Sequence, residues 1–321
     1  MLRQIYRENE EVVIRNELAE ISERACWVDL VAPSPAEVEL VSRRFAIDLR
    51  PRTGGIAEEP TYLYMRVSSV SPQEGQEPFL CRLTVILGEN FLVTMRDTSS
   101  CPAIELAMRR LQRRPAWAMA AKDLLRVLLQ AMNDQAERTV EHISGILDET
   151  TRYIAQISTG YSKEGAELGV VDLTEATLDL NNQEELVSRC LESQLALSRA
   201  ARHLSTEVSN ETEAELQVLV NELIDDIAGV KEHFTFEHDK IRYLQGSVTN
   251  ILNIKQNQIV KIFTIITAVF LPPTLVATFY GMNFAIMPEL SWKHGFIYSV
   301  ILTLVGALLP LVYIKWKGWL R

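Results

Sequence analysis

The sequence predicts an α+β domain followed by a long stalk helix and two transmembrane helices. Three observations lead to this fold class: short β-branched and aromatic segments in the first 120 residues, the absence of proline from 116 to 271, and apolar runs at 262–282 and 296–314 that lack Asp, Glu, Lys, Arg and His. We therefore expect three parts in this chain of 321 residues. They are a cytoplasmic α/β domain at 1–120, an acidic helical region that includes the stalk at 121–258, and a membrane part at 259–321.

The composition excludes several functional classes. The chain has 32 Lys and Arg against 42 Asp and Glu, a net charge of -10, so it lacks the basic surface that nucleic-acid binding requires. Its four cysteines are too far apart in sequence for a CxxC pair, which indicates reduced thiols rather than a disulfide framework or a zinc site. The sequence contains neither a glycine-rich phosphate loop nor a GxSxG motif, and we do not expect an enzyme. Because the first residues lack the apolar core of a secretory signal, we expect the N-terminal part to stay in the cytoplasm.

The N-terminal part has the pattern of a small mixed α/β domain. Four segments have the composition of strands: 25–30, 61–67, 82–87 and 91–96. Residues 88–90 separate the last two segments and predict a hairpin turn. A helix is expected after Ser34, because Ser34 can cap it, Pro35 suits its first position, and Glu37 stands three residues after the cap.

The proline-free region predicts long helices that pack side by side. Ile241, Leu244, Val248 and Ile251 repeat at alternating intervals of three and four residues, which is the spacing of an apolar seam between helices. No turn signal interrupts the sequence between this seam and the apolar run that follows it. We therefore expect one unbroken helix from about Glu213 into the first membrane span.

The same region is strongly acidic, with 15 Asp and Glu against 4 Lys and Arg between residues 163 and 230. One interpretation is that these side chains cover solvated helix faces. The other is that some of them meet at a cation site between helices or subunits, since carboxylate oxygens are the usual ligands of hard divalent cations. Glu222, Asp225 and Asp226 are the best candidates, because residues three and four apart share a helix face.

Each apolar run is about as long as the roughly 20 residues that cross a hydrocarbon core. We expect spans at about 259–282 and 295–314, joined by a short outer loop. In that loop the charges of Glu289 and Lys293 cancel. Positive residues lie instead on the terminal sides of the spans: Lys255, Lys261, Lys315, Lys317 and Arg321. This asymmetry predicts that both termini face the cytoplasm.

The end of the first apolar run carries a family resemblance. Gly281, Met282 and Asn283 follow Tyr280, and residues 287–290 read Met-Pro-Glu-Leu. In a chain with two spans near its C-terminus, this pattern resembles the CorA family of magnesium channels, the 2-TM-GxN type, whose signature is Gly-Met-Asn. The close resemblance covers about 250–321, and the rest of the chain agrees with the family in its layout.

The resemblance implies a funnel-shaped homopentamer in the bacterial inner membrane, in which the chain assembles with four further copies of itself. Five first spans would line one pore, and the second spans would form an outer ring. The substrate would be Mg²⁺, with Co²⁺ and Ni²⁺ as further ions that the family passes. Mg²⁺ would also act as a regulatory ligand, and no covalently bound cofactor is expected.

Helical spacing together with the family pattern predicts a pore-facing stripe without charged residues. It comprises Asn257, Val260, Phe263 or Thr264, Thr267, Leu271, Thr274, Thr278 and Asn283. Because Mg²⁺ gives up its waters reluctantly, a pore without carboxylates suits a hydrated ion. We expect Gly281, Met282 and Asn283 to select the ion, with a ring of Asn283 carbonyls accepting hydrogen bonds from its waters. Gly281 would give the backbone freedom to turn, and Met282 would pack.

Two features of the stripe suggest a gate. Rings of Leu271, Phe263 and Val260 are expected to constrict the pore and to block conduction by dewetting. Pro272 and Pro273 each remove a helical hydrogen-bond donor, which predicts either a simple kink or a bend at the gate.

The outer loop and the membrane potential would supply and drive the ion. A ring of Glu289 carboxylates would attract cations to the entrance, unless each pairs with Lys293. A divalent cation that crosses an inside-negative potential of 100 mV gains about 4.6 kcal/mol, so no nucleotide is required.

Feedback control is expected from the acidic cytoplasmic region. Mg²⁺ bound between subunits would neutralise facing carboxylates and hold the channel closed. Loss of Mg²⁺ would restore their repulsion. The candidate ligands are Glu222, Asp225 and Asp226, with Glu58 and Glu59 as their partners.

Two alternatives stay open. One is a Zn²⁺ transporter similar to the ZntB branch, with or without proton coupling. The other belongs to a different class: a membrane-anchored helical scaffold whose spans only tether a cytoplasmic assembly.

Overall fold

The computed structural model describes most of the chain, in two compact units. The described residues are 1–8, 11–16, 21–50, 55–71, 79–98, 100–113, 120–159, 170–209, 214–282 and 287–318. The first unit comprises Met1–Glu167 and Thr174–Gln245, and the second comprises Leu168–Leu173 and Gly246–Arg321.

A mixed β-sheet forms the framework of the first unit. Its described strands are β1 (Leu2–Glu8), β2 (Glu11–Arg15), β3 (Ala25–Val31), β4 (Ile56–Glu58), β5 (Tyr62–Ser71), β6 (Phe79–Gly88) and β7 (Leu92–Arg96). They are arranged in the order β2-β1-β3-β7-β6-β5-β4. All neighbouring pairs are antiparallel except β3 and β7, which are parallel.

The four predicted strands are confirmed as β3, β5, β6 and β7, and β6 and β7 form the predicted hairpin. Sequence composition does not reveal β1, β2 and β4. Charged residues such as Arg3 and Glu8 interrupt the apolar residues of β1, and β2 and β4 are only five and three residues long. β1 pairs with β2 on one side and with β3 on the other. The pairing with β3 joins residues far apart in the sequence, so local composition does not predict it.

Helices make up the rest of the described chain. They are α1 (Pro35–Phe45), α2 (Pro102–Gln112), α3 (Ala121–Thr159), α4 (Val170–Ser209), α5 (Ala214–Tyr280) and α6 (Gly295–Trp316), with a short 3-10 helix at Pro288–Ser291. The predicted cap of α1 is confirmed: Glu37 N–H donates to Ser34 Oγ at 3.3 Å, and Ser34 N–H donates to Glu37 Oε2 at 2.7 Å. The predicted unbroken helix is also confirmed, since α5 runs for 67 residues, about 100 Å at 1.5 Å per residue.

Both faces of the sheet bury apolar side chains. Residues in β5 and β6 alternate between the faces, as in any strand. Met65 and Leu83 belong to a cluster that includes residues of α2, α3, α4 and α5, whereas Tyr64 and Ile86 pack with Val41 of α1 on the other face. The sheet is therefore a middle layer that fixes the helices around it.

Polar contacts tie the three long helices together within the first unit. Lys240 Nζ of α5 lies 2.6 Å from Asp148 Oδ1 of α3, and this ammonium lowers the pKa of the Asp148 carboxyl from its ordinary value. Gln245 Nε2 of α5 donates to Glu184 Oε2 of α4 at 2.8 Å. Lys122 Nζ of α3 donates to a backbone carbonyl at the end of α4 at 3.0 Å.

A buried ion pair joins the parallel strands β3 and β7. Arg96 Nη2 lies 3.0 Å from Asp29 Oδ2, and both side chains are 0% exposed. Thr94 Oγ1 donates to Asp29 Oδ1 at 2.8 Å, and Trp27 Nε1 donates to Thr94 Oγ1 at 3.0 Å. The network therefore gives each oxygen of the buried Asp29 carboxylate a hydrogen-bond donor.

We predict that Arg96→Ala destabilises the protein by about 3–5 kcal/mol, because it leaves Asp29 as an uncompensated buried charge. Thermal unfolding of the full-length protein in detergent measures the change. The double variant Asp29→Leu/Arg96→Met, which removes both charges, should lose less stability than Arg96→Ala. An Arg96→Ala protein that unfolds at the wild-type temperature would contradict this account.

Candidate functional site

Two described helices, α5 and α6, are long and apolar enough to cross a membrane. Their apolar side chains are largely uncovered in a single copy: Phe263 is 66% exposed and Leu271 is 65% exposed. Apolar surface of this extent is stable only against lipid or against further protein. The exposed apolar surface of the second unit is therefore one that lipid or further protein would cover.

The two spans meet at a glycine. A Cβ atom added to Gly306 of α6 would lie 3.4 Å from Pro272 Cβ and 3.8 Å from Pro273 N of α5. The side of α5 that contains Pro272 is half-buried, as are Ile265, Ala268 and Val276 at helical spacing. This side of α5 therefore faces α6.

The predicted pore stripe lies on another side of α5. Its described members are all exposed: Asn257, Val260, Phe263, Thr264, Thr267, Leu271, Thr274 and Thr278. At 3.6 residues per turn, Leu271, Thr274 and Thr278 lie roughly 100–160° around the helix from Pro272. The contact with α6 therefore leaves this uncharged stripe uncovered.

The threonines of the stripe share one hydrogen-bond pattern. Each hydroxyl donates to the carbonyl four residues earlier, at 2.8 Å for Thr264 and Thr267, 2.7 Å for Thr274 and 2.5 Å for Thr278. Each hydroxyl donates its hydrogen to a backbone carbonyl of the helix. Its oxygen can therefore only accept hydrogen bonds from groups on the exposed side. The stripe therefore presents hydrogen-bond acceptors.

α5 continues through Pro272 and Pro273 without a break. Proline has no N–H, so the carbonyls of Ala268 and Val269 lack their usual helical donors. Thr274, the residue after the two prolines, donates a hydrogen bond from its hydroxyl to Phe270 O. The helix is therefore retained with fewer backbone hydrogen bonds at this point, which is also where it contacts Gly306.

The conformation after the first span differs in part from expectation. Gly281 N–H donates to Ala277 O at 2.9 Å, and Gly281 does not have a positive φ. A Cβ at this position would lie 3.1 Å from Ala277 O. A side chain at position 281 would therefore make a tight contact with the last turn of α5, and Gly281 does not form a left-handed turn. Met282 is exposed, and Asn283 lies outside the described residues.

A cleft of about 620 Å³ lies near the outer end of the spans, within the second unit. It is lined by Tyr280 and Gly281 of α5 and by Phe296, Ser299 and Thr303 of α6, among others. Glu289 belongs to the 3-10 helix, and its side chain lies outside the described part of the chain.

A second cleft, of about 500 Å³, lies between α3 and α5 in the first unit. Its polar lining comprises Gln130, Asn133, Asp134, Glu137, Asp225, Asp226 and His233. Gln130 Nε2 donates to Asp134 Oδ1 at 3.1 Å and to Asp226 Oδ2 at 3.5 Å, and Asp134 also pairs with Arg110. Asn133 is 2% exposed, and its Oδ1 has no hydrogen-bond partner among the described residues.

The structure brings together only some of the predicted regulatory residues. Asp225 and Asp226 line the cleft between α3 and α5, and Glu222 is exposed on the same helix. Glu58 instead lies 3.1 Å from His203 Nδ1 of α4, and the Glu59 N–H donates to Tyr62 O. Within one copy, the described residues contain no group of three or more His, Cys, Asp or Glu side chains arranged to hold a metal ion.

Sequence reasoning missed the α3 side of this cleft. Asn133, Asp134 and Glu137 stand about ninety residues before Asp225, and a single Asn-Asp pair in a helix has no distinctive spacing. The packing of α3 on α5 brings these residues to the two aspartates. A sequence signal for this contact would have to link positions on two separate helices.

Comparison with known proteins agrees with the arrangement. The model of the family described as CorA-like Mg²⁺ transporter protein matches residues 22–316. The magnesium transport protein CorA of Yersinia pseudotuberculosis is 30% identical over 307 residues, 92% of each chain, and that of Wolinella succinogenes is 26% identical over 98% of this chain and 99% of its own. The complete structure of the CorA magnesium transporter from Methanocaldococcus jannaschii matches with a TM-score of 0.76 at 18% identity, covering 99% of this chain and 98% of that one.

We predict that Gly306→Leu lowers the melting temperature of the purified protein in detergent. The larger side chain would force α6 away from Pro272, and overpacking of this kind costs about 1–3 kcal/mol. Gly306→Ala should be tolerated, because its Cβ makes an ordinary contact at 3.4 Å. Val305→Phe enlarges an exposed neighbour and serves as the control. Equal melting temperatures for Gly306→Leu and Val305→Phe would refute the close contact.

Proposed function

The chain belongs to the CorA family of Mg²⁺ transporters, and from this premise we propose that it forms a homopentameric channel that passes hydrated Mg²⁺ into the cytoplasm. It is a membrane protein with two spans and a cytoplasmic N-terminal domain, and it transports ions rather than catalysing a reaction. Its architecture is that of a complete CorA structure.

The single observation that carries the proposal is the exposed, uncharged stripe on α5. Two spans of one copy enclose no water-filled path, so several copies must contribute to a pore. Pro272 and its half-buried neighbours face α6, so the exposed stripe is free for contact around a central axis. Five copies, the number implied by the family resemblance, would set five such stripes around one pore.

The stripe suits an ion that keeps its water shell. Stripping water from Mg²⁺ would require carboxylate ligands, and the stripe has none. Waters bound to Mg²⁺ are hydrogen-bond donors, and the hydroxyl oxygens of Thr267, Thr274 and Thr278 are held as acceptors by their bonds to the helix backbone. In our proposal the waters of the ion donate to these oxygens as it passes.

Selection would occur at the Gly281, Met282 and Asn283 segment. A ring of Asn283 amide oxygens would accept hydrogen bonds from the first water shell of the ion. The spacing of these oxygens would select hydrated ions by their size. The close approach of Gly281 to Ala277 O supports a role in setting the position of the residues that follow it. Outside, Glu289 would raise the local concentration of cations unless Lys293 neutralises it.

The gate would be formed by the apolar members of the stripe, Val260, Phe263 and Leu271. Rings of these side chains exclude water when they close, and an ion cannot pass without water. The weakened hydrogen bonding at Pro272 and Pro273 lies next to Leu271, which supports a bend at this level. The membrane potential supplies the driving force, about 4.6 kcal/mol per Mg²⁺ at 100 mV.

The cleft between α3 and α5 is our candidate for feedback. Asp134, Asp225 and Asp226 supply carboxylates, and the unpartnered Oδ1 of buried Asn133 supplies a further hard oxygen ligand. One copy lacks a complete ligand set among its described residues, so Glu222 or the Glu58 and Glu59 pair of a neighbouring copy would complete it. Bound Mg²⁺ would then stabilise the closed arrangement by binding it more tightly than the open one.

We predict that Asn283→Ala changes ion selection and reduces Mg²⁺ uptake by protein reconstituted in vesicles. Thr274→Val, which keeps the shape but removes the acceptor, should lower uptake by a smaller factor. Ile262→Val, at an exposed position about 80° from Pro272 on the side of α5 away from the stripe, should leave uptake unchanged. Uptake is measured with and without an imposed potential and with and without a proton gradient.

Two results would decide against this proposal. Wild-type uptake that requires a proton gradient, with Zn²⁺ preferred, would favour the ZntB-like alternative. Uptake that Asn283→Ala leaves untouched, or that is absent from the wild type, would favour the scaffold.

We predict that Asp225→Asn/Asp226→Asn weakens feedback, because it removes two negative charges from the cleft. Uptake into vesicles preloaded with Mg²⁺ should then remain high at internal concentrations that inhibit the wild type. Glu232→Gln, at an exposed position elsewhere on α5, is the matched control. Equal inhibition of the double variant and the control would exclude this cleft from regulation.

A further inference from the structure

Two buried cysteines meet where the sheet packs against α2. Cys81 lies in β6, and Cys101 is the N-cap residue of α2. They are 1% and 0% exposed, and both belong to the apolar cluster that also contains Leu83 of β6 and Ile104 of α2. The two thiols are hydrogen-bonded to each other. The fold therefore brings together two thiols that have no CxxC spacing in the sequence.

The hydrogen bonds around Cys81 differ from those of an ordinary core cysteine. A buried thiol usually behaves as a small apolar side chain. Cys190 of α4 is such a case, since it is 2% exposed and burial raises the pKa of its thiol to about 12. Cys81 Sγ instead accepts a hydrogen bond from Thr98 Oγ1 at 3.4 Å, in addition to its contact with the Cys101 thiol.

These contacts make the two thiols chemically different. The hydrogen bonds from Cys101 and Thr98 lower the pKa of the Cys81 thiol, and the nearby Arg96 guanidinium acts in the same direction. The hydrogen bond to Cys81, together with burial, raises the pKa of the Cys101 thiol. Because the thiolate is the nucleophile, Cys81 is the thiol that would attack an electrophile first.

The pair lies directly beneath the surface of the domain. Thr98, which contacts Cys81, is half-buried, and the flanking residues Asp97 and Ser100 are exposed. Ser100 directly precedes Cys101 in the chain. A molecule as small as hydrogen peroxide can reach the thiols by displacing Thr98, without opening the sheet, whereas a protein thiol or disulfide is too large to do so.

We propose that Cys81 and Cys101 are a modification site that hydrogen peroxide converts into a reversible disulfide. The Cys81 thiolate attacks one peroxide oxygen and the O–O bond breaks. The leaving hydroxide takes up a proton to become water, and Cys81 becomes a sulfenic acid. The Cys101 sulfur then attacks the Cys81 sulfur, and its proton leaves with the hydroxyl group as a second water. Two thiols and one peroxide give one disulfide and two waters.

The disulfide would join β6 covalently to the start of α2 when an oxidant is present. The domain that contains the pair is cytoplasmic, and disulfides in that reducing compartment are transient and serve in catalysis or redox sensing. The pair shares no residue with the stripe on α5 or with the cleft between α3 and α5. The proposal is therefore independent of the proposed pore and feedback site.

The test is peptide mapping of the full-length protein in detergent after exposure to increasing concentrations of hydrogen peroxide. Remaining thiols are blocked with N-ethylmaleimide in denaturant, and the protein is digested with trypsin without reductant. Trypsin leaves Cys81 in the peptide 67–82 and Cys101 in the peptide 97–109, each with a single cysteine. The expected result is the loss of these two of the four free thiols and a linked pair of peptides that dithiothreitol separates.

The other two cysteines serve as internal controls. Cys26 is half-buried and Cys190 is buried, and burial raises the pKa of both thiols. If exposure alone governed oxidation, Cys26 would react before Cys81. We expect the opposite order: Cys81 is oxidised at peroxide concentrations at which N-ethylmaleimide still labels Cys26 and Cys190 in full.

Variants separate the roles of the two thiols. Cys101→Ser should abolish the linked peptides and allow dimedone to trap the sulfenic acid at Cys81. Cys81→Ser should leave Cys101 unmodified at the same peroxide concentration, and Cys190→Ser, the matched control, should retain the link. Thermal unfolding checks that each variant is folded, and the wild-type map does not depend on the variants.

Three results with the wild type would overturn the proposal. One is the absence of the linked peptides at every peroxide concentration at which the protein stays folded. Another is oxidation of Cys26 or Cys190 before Cys81. The third is a modification of Cys81 that dithiothreitol does not reverse.

Discussion

In the channel that we propose, the firm hold of Mg²⁺ on its own water is the constraint to which the first span is suited. A pore that removed this water would need a dense set of carboxylates, which are costly to place within a hydrocarbon layer about 30 Å thick. The stripe on α5 has no charge, and its threonine hydroxyls point their hydrogens into the helix. In the proposed pore the ion would meet a row of neutral acceptors, which can hold a water shell without displacing it.

The same helix extends from the cytoplasmic cleft to the end of the first span. Asp225 and Asp226 belong to α5, and so do Leu271 and the two prolines, within one run of 67 residues. In the feedback that we propose, a change in repulsion near the start of α5 would act on the same helix that carries Leu271 and the two prolines. Pro272 and Pro273 interrupt the backbone hydrogen bonds at one level, and Gly306 of α6 contacts that level closely. A stiff element with one weakened point is suited to bend there.

Much of the architecture could be predicted from the sequence because the signals are local. The four strands β3, β5, β6 and β7, the capping box at Ser34 and the long helix from about Glu213 each follow from composition or spacing over a few residues. The two spans follow from the absence of charge over a length that matches the bilayer. β1 escaped prediction because its charged residues mask the alternation, and β2 because it is only five residues long; β1 is stabilised by pairing with β3 and β2 by pairing with β1.

The sequence by itself determined the fold class, the spans and the short segment that carries the family signature, since each depends on neighbours in the chain. Tertiary structure alone decided which distant polar groups share a cleft. It brought Asn133, Asp134 and Asp226 to one cleft and placed Glu58 next to His203. The physical reason is that helix packing and strand register bring together side chains that lie tens of residues apart, and no local pattern encodes the angle at which two helices cross.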